Sequence, residues 1–323
     1  MSVIIPAWNE VEALPSCLGS VLASSYRDVE VIVVDNGSKD GTPELLASRF
    51  PQVRVLRNPE NLGFGRALDQ GSGIATGDLL LWLNADARLD PGWIESMVRA
   101  LEARPEVGMA TSVVTYEDEQ DIVWSAGGWV DGLTGLAWDH GKGERIASVP
   151  PAADLDYVAA CALLVRRVAF ERTGGLDPDF FIYFEDADLG LRLKALGLSS
   201  VILDVPPIRH GALRRTGLRG AAGNKLFLFS RSNLRFILKD WTLARMPVAV
   251  LTWTLFYGAV AVTKGTGRYL PSVLRAAAWN LRHLEETKGS RRENPPIRMP
   301  PPRLGGLYRF LVRMAQHPEL FPY

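Results

Sequence analysis

Residues 29–42 read VEVIVVDNGSKDGT, and this stretch decides the fold. Residues 29–35 form an apolar, β-branched run, the pattern of a parallel strand buried on both faces. The turn at 36–42 follows it and feeds a helix over 43–50. The alternation extends to either side. Upstream, residues 2–6 are a short apolar strand, and 10–24 have helical spacing with Leu14, Leu18, Val21 and Leu22 on one side. Downstream, 53–57 is a strand, 65–75 a helix and 79–84 (LLLWLN) another buried strand. This βαβαβ order predicts a doubly wound α/β sheet that binds ligands beyond the carboxyl ends of its strands. Three polar clusters sit at such ends, at 6–10, 35–40 and 84–86. One polar turn after a strand is ordinary. Three on the same sheet edge describe a binding crevice.

The middle of the chain is less regular. Between about 110 and 160, Gly127, Gly128, Gly132 and Gly135 are mixed with Trp124, Trp129 and Trp138, which makes either an aromatic platform for an acceptor or a packed loop. Residues 157–166 return to strand character, and FFIYFEDAD (180–188) leads into an amphipathic helix to Leu196, closed by Gly197. Residues 201–205 are the last clear strand, with His210 after it. From about 220 the pattern is helical and basic.

With 47% hydrophobic residues in 323, the chain can bury a sizeable core, and nothing suggests disorder, collagen or a disulfide scaffold. Cys17 and Cys161 form no ligand-like pair and are expected to be buried apolar residues of a reduced protein. The net charge of zero hides two opposed halves: residues 1–205 carry 16 Lys/Arg against 31 Asp/Glu, and residues 206–323 carry 20 against 5. An acidic front half suits a divalent cation. A basic tail suits an anionic partner, a membrane surface or a diphosphate, or else a helical face that pairs with the front half. Met246–Thr263 is an uncharged run of 18 residues, just under the roughly 20 that span a bilayer. Pro247 and Gly258 weaken it further as a span. Flanked by Lys239, Arg245, Lys264 and Arg268, it is expected to lie in or against a membrane surface; a buried core helix is the alternative. Residues 295–302 hold five prolines and read as an extended linker. The start of the chain is too short and uncharged for a signal core, so action on the cytoplasmic side, at the inner face of the cell membrane, is expected.

The polar clusters carry the chemistry. Asp35, at the end of a buried strand, can accept hydrogen bonds from a nucleobase or ribose, or simply cap its turn. Asn9 and Glu10 sit at the matching end of the first strand, where Asn9 is otherwise a helix N-cap. At adjacent strand ends, the three together favour a nucleotide. Asp86 can bind Mg²⁺ or Mn²⁺ while the phosphates of a ligand supply further oxygens. His210 can add a nitrogen, which favours Mn²⁺ slightly, or be structural. Arg66, at the start of a helix, is a diphosphate contact or a surface charge. Glu185 and Asp186 open a helix whose N-terminus should keep Asp186 ionised and fit to act as a general base. Taken without context, an N-capping acidic cluster is the better reading of the pair.

Taken together, SVIIPAWNE (2–10), VEVIVVDNGSKDGT (29–42), NPENLGFGRALDQG (58–71), GDLLLWLNADARLDPGWI (77–94) and GGLDPDFFIYFEDADLGLRLKALG (174–197) resemble the GT-A-fold glycosyltransferases of family two, especially bacterial rhamnosyltransferase-like members. The resemblance covers roughly residues 1–215. It implies a Rossmann-like mixed, mainly parallel sheet with helices on both faces, followed by a helical, basic extension over 216–323. It also implies an inverting, metal-dependent enzyme of cell-wall or polysaccharide synthesis. Asp35 looks like the nucleoside-binding carboxylate, with Pro6, Asn9, Glu10, Asn36, Asn61, Arg66, Asn84 and Ala85 around the nucleotide sugar. Asp86 looks like the metal-binding end of the DXD element, whose first position is Asn84 here. Asp186 is similar to the catalytic base, with Glu185 contacting the acceptor or fixing the loop, and His210 sits where some members place a metal or diphosphate ligand. The implied cofactor is Mg²⁺ or Mn²⁺. The implied partners are a dTDP or UDP sugar, first dTDP-L-rhamnose, and a hydroxyl of a glycan or lipid-linked acceptor, with no nucleic acid. A sugar nucleotidyltransferase would need a Gly-rich loop with Arg and Lys where PAWNE (6–10) stands. A non-catalytic glycan-binding module would lack Asp86 or Asp186, and both are present.

Overall fold

The strands expected at 2–6, 29–35 and 79–84 lie side by side at the centre of the molecule. The computed structural model describes residues 1–211, 222–265, 267, 269–293, 297 and 299–316. Its first half runs β1 (Ser2–Ala7), α1 (Leu14–Leu22), β2 (Glu30–Asp35), α2 (Thr42–Arg49), β3 (Arg54–Arg57), α3 (Phe64–Ile74), β4 (Leu79–Leu83), β5 (Ala87–Arg88) and α4 (Trp93–Glu102). The middle continues with β6 (Val107–Thr111), β7 (Val114–Tyr116), β8 (Val123–Ser125), β9 (Gly128–Val130), β10 (Ala137–Asp139), β11 (Ala162–Arg166) and α5 (Arg167–Arg172). Then come α6 (Glu185–Ala195), β12 (Ser199–Ile202) and β13 (Ile208–His210). The C-terminal part is helical: α7 (Ala222–Asp240), α8 (Met246–Gly265), α9 (Leu270–Arg282), α10 (Leu284–Glu293) and α11 (Leu304–Gln316).

Among the described residues the main sheet has the order β12-β6-β11-β4-β1-β2-β3. Strand β11 runs antiparallel to both neighbours, and every other pairing is parallel. Alternation along the strands sends side chains to two cores. Ile4, Ile32, Val34, Leu80 and Trp82 point to the side covered by Ala67 and Leu68 of α3 and Leu189 of α6. Val3, Ile5, Val31, Val33, Leu81 and Leu83 point to the side covered by Leu14 and Leu18 of α1 and by Trp93 and Met97 of α4. Both faces are covered, which is why these strands are apolar throughout.

Several boundaries differ from those expected, each for a local reason. Helix α1 begins at Leu14, not at residue 10. The amides of Glu10 and Val11 donate instead to Thr42 Oγ1 and Asp40 Oδ2, both at 3.1 Å, stitching the turn after β1 to the turn after β2. Pro15 then suits the first helical turn. The strand expected from 157 shortens to β11, because Tyr157 is bridged to Gly128 and Ala160 turns its amide to Asp186. The last strand is displaced to β12, in register with β6.

The helical tail continues the core on the α3 side: Leu226, Phe236, Ile237 and Trp241 belong to the same buried cluster as Ile4 and Trp82. The division expected near residue 215 lies outside the described residues. Much of the basic excess is spent on the acidic front half. Arg235 pairs with Asp177 at 2.8 Å and Asp179 at 2.7 Å, Lys239 with Asp188 at 2.5 Å, Arg303 with Asp154 at 3.1 Å, and Arg313 with Glu144. Helix α8 divides its surface. Ala249, Trp253, Tyr257 and Val260 are buried, while Val248, Leu251, Leu255 and Val262 are exposed. Among the described residues it is the one helix long and apolar enough to cross a membrane, with 28% of the run buried. Of the flanking cations, Arg268 lies outside the described residues, as do Pro295, Pro296 and Arg298 of the proline-rich stretch. Pro300 and Pro301 are held by hydrogen bonds from Arg245 and the Gly132 amide.

Candidate active site

The carboxyl ends of β1, β2 and β4 open into one cavity of about 390 Å³. Its wall brings together Pro6, Glu10, Asn36, Asn61, Asn84, Ala85, Asp86, Glu185, Asp186 and His210. Asn9, Asp35 and Arg66, expected among the ligand contacts, stand off that wall. Asn9 is a stitch and not an N-cap: its Oδ1 accepts the Lys39 amide at 2.8 Å, and its amide donates to Ser38 Oγ at 2.9 Å. Asp35 is fully buried. One of its oxygens caps the turn by accepting the Ser38 amide at 3.0 Å. The other faces Arg57 Nε at 3.3 Å and makes no hydrogen bond. Arg66 is exposed on α3, because the buried side of that helix is taken by Gly65, Ala67 and Leu68.

Asn36 is the hub of the polar network at the end of β2. Its amide donates to Asn61 Oδ1 at 3.2 Å and to the Gly63 carbonyl at 3.0 Å. Its oxygen accepts from Asn58 Nδ2 at 2.8 Å. Gly63 has φ +98°, and a Cβ there would lie 2.6 Å from the Phe181 carbonyl oxygen. Only glycine fits this close approach, which fixes the loop before α3 against the aromatic segment before α6.

Asp86 and His210 are 124 positions apart, and the small second sheet brings them together. Antiparallel pairing of β5 with β13 sets His210 opposite Ala87. His210 Nε2 then lies 3.2 Å from Asp86 Oδ1 and 3.0 Å from Asn84 Nδ2. Trp124 holds the ring edge-on at 4.6 Å. One nitrogen thus faces both an amide donor and a carboxylate, and Asn84 Oδ1 is buried without a hydrogen bond. A divalent cation suits this donor set of nitrogen and oxygen. Among the described residues no third His, Cys, Asp or Glu completes a ligand group; a bound phosphate or water can supply further oxygens.

Asp186 lies in the first turn of α6. Its Oδ2 accepts the Ala160 amide at 3.2 Å and its Oδ1 the Ala187 amide at 2.8 Å. The helix N-terminus was expected to secure its charge. Burial outweighs these amides, and with the nearby charge of Asp139 it pushes the carboxyl up to about 6. Burial, and then the charge of Asp186, drives neighbouring Glu185 well above the usual carboxylate range. One of the two acids is thereby poised as a base near neutrality, and the other is held protonated.

The residues before this pair are strained. Tyr183 and Phe184 have φ of +72° and +71°, a conformation that costs a bulky residue on the order of 1–3 kcal/mol. Helix α7 holds them there. Phe229 stacks on Tyr183 with ring centroids 3.7 Å apart, and Phe236 packs on Phe184 at 5.4 Å. Two residues past Asp186, Asp188 is buried between Arg192 and Lys239. Sequence reasoning missed Asp188, Asp139, Lys142, Tyr157 and Lys225. The repeated acidic spacing of EDAD was the available signal for Asp188. Asp139 and Lys142 form an ion pair at 3.1 Å on the cavity wall, with the Lys142 amine 4.7 Å from the Trp124 ring centroid. Trp124 and Trp138 line the cavity, as an acceptor platform would. Trp129 does not, and packs against Trp138 and His140 instead.

Residues 2–173 match the family described as glycosyl transferase family 2. The N-acetylglucosaminyl-diphospho-decaprenol L-rhamnosyltransferase of Mycobacterium tuberculosis is 29% identical over 240 residues, which is 67% of this chain and 78% of that protein. The O-antigen biosynthesis protein RfbC of Myxococcus xanthus is 31% identical over 217 residues, 62% of this chain and 16% of that one. Among solved structures, Staphylococcus aureus TarS 1–349 in complex with UDP-GlcNAc superposes with a TM-score of 0.56 at 13% identity, covering 90% of this chain and 83% of that one. The mannosyltransferase PcManGT from Pyrobaculum calidifontis, in complex with GDP-Man and Mn²⁺, gives 0.51 at 19% identity with the same coverage. The architecture is the GT-A fold.

Proposed function

The chain belongs to glycosyl transferase family 2, and from that premise we propose that it moves a sugar, with inversion, from a nucleoside diphosphate to a hydroxyl of a lipid-linked glycan. The donor we favour is dTDP-L-rhamnose, with a UDP sugar as the second choice; the mycobacterial L-rhamnosyltransferase supports rhamnose as the sugar. The observation that carries the reading is the shared cavity: Asp86 and Asp186 face one space, as a single donor and a single incoming alcohol require.

Asn36 and Asn61 border the nucleotide, and the nucleoside is assigned to Asp35, one of whose buried oxygens makes no hydrogen bond. Asp86 and His210 would hold Mg²⁺ or Mn²⁺, which when bound neutralises the charge on the leaving diphosphate. Asp186 takes the proton of the acceptor hydroxyl as the oxygen attacks the anomeric carbon, and the bond to the diphosphate breaks on the opposite face. Glu185, protonated, can donate a hydrogen bond to the acceptor. The aromatic residues of the wall exclude water, which would otherwise compete as a nucleophile.

Asp186→Asn tests the assignment, because the amide keeps the shape and loses the base. Transfer should fall by about 10²–10⁴-fold. The stabilisation by dTDP-L-rhamnose or UDP sugars with Mn²⁺ in thermal-shift assays should persist. A folded variant that no longer responds to any donor would overturn the role of Asp186 as base.

A further inference from the structure

The cavity has two chemically different ends. Asn36, Asp86 and His210 belong to the strand ends of the two sheets. Part of its wall comes from the helical tail, where Lys225 and Phe229 of α7 and Phe310 of α11 face the same space. Lys225 stands out among the cations of α7. Arg235 and Lys239 are bound by buried carboxylates. Arg231 donates to the Asp179 carbonyl and lies 4.4 Å over the Trp279 ring. Among the described residues Lys225 has no carboxylate or carbonyl partner. Partial burial lowers its pKa, which marks an ammonium group short of solvent and of counter-charge.

Its position relative to the base says which anion fits. Phe229, one turn along the same face of α7, stacks on Tyr183, three residues before Asp186. Lys225 therefore stands on the side of the cavity that receives the attacking hydroxyl. Helix α8 packs beside α7 and leaves Leu251 and Leu255 exposed. An acceptor that suits this succession carries a sugar at the base, an anion beside it and an apolar chain beyond.

We propose that Lys225 binds the diphosphate of the acceptor's lipid carrier, as a second anion subsite separate from the one for the donor's diphosphate. The inference rests on the lipid-linked acceptor of the proposed function and deepens it.

The test uses the full chain with dTDP-L-rhamnose and two acceptors: a short-chain polyprenyl diphosphate N-acetylglucosamine, and a neutral octyl N-acetylglucosaminide. For Lys225→Gln, the ratio of KM for the charged acceptor to KM for the neutral one should rise about tenfold, the value of one charge-assisted hydrogen bond. Lys225→Arg should restore most of it, and nucleotide affinity by calorimetry should hold. An unchanged ratio overturns the proposal. So does a matching loss of nucleotide affinity, which would put Lys225 on the leaving diphosphate. A wild-type protein that binds donor yet transfers only to the neutral glycoside removes the lipid-linked acceptor itself, and the inference with it. Circular dichroism of each variant separates these results from misfolding.

Discussion

At the scale of single residues, the site turns on how two adjacent carboxyls divide their protons. Asp186 is held near a pKa of about 6 because burial opposes its charge more strongly than two backbone amides support it. As pH falls through that value the carboxylate gains a proton and the base is lost. The rate of transfer should therefore drop about tenfold per pH unit below it and level off above. Asp139 contributes to the upward shift through its charge. Asp139→Asn removes that charge, so the acid limb of the pH–rate profile should move to lower pH. A limb that stays in place or moves up would show that Asp186 does not feel Asp139. Neither effect is visible in the sequence, where Asp139 and Asp186 belong to unrelated stretches.

At the scale of elements, α7 acts as a brace for the turn that leads into Glu185 and Asp186. Two consecutive left-handed residues, Tyr183 and Phe184, aim the start of α6 at the cavity, and aromatic contacts with Phe229 and Phe236 keep them there. The same two helices are joined through the buried pair of Asp188 with Lys239. Gly190 lets α6 approach the chain closely, since a Cβ there would meet the Asp156 carbonyl oxygen. Phe229→Ala should release Tyr183 and misplace Asp186. A displacement of about 1 Å can cost on the order of 10²-fold in rate. The expected signature is a lower kcat with unchanged donor affinity by calorimetry; an equal fall in both would place Phe229 in the donor site instead.

At the scale of the whole molecule, the acidic front and basic tail are two halves of one electrostatic assembly more than two separate charged bodies, because Arg235, Lys239, Arg303 and Arg313 pair with carboxylates of the front half. Among the groups the pairing leaves outward are large apolar ones: Val248, Leu251, Leu255 and Val262 on α8, with Leu274 and Leu281 on α9. We propose that this face rests on the inner surface of the cell membrane. Each leucine inserted contributes about 1.5–3 kcal/mol. The wild-type chain should sediment with anionic phospholipid vesicles, and the double substitution Leu251→Glu with Leu255→Glu should leave it in the supernatant with its helicity intact. Persistent binding of the double variant would place the contact elsewhere.

The sequence by itself determined the sheet, its burial on both faces and the cluster of strand ends, because those depend on periodicities of two and 3.6 residues and on short turns. It also placed Asp86, Glu185, Asp186 and His210 in view through local motifs. What only the tertiary structure decided is which groups share a space. The pairing of β5 with β13 sets His210 beside Asp86, burial sets the protonation of Asp186, and helix α7 supplies Lys225 and the aromatic brace. These depend on contacts between residues far apart in the chain, and the desolvation and pairing they produce exist only once the chain has folded around them.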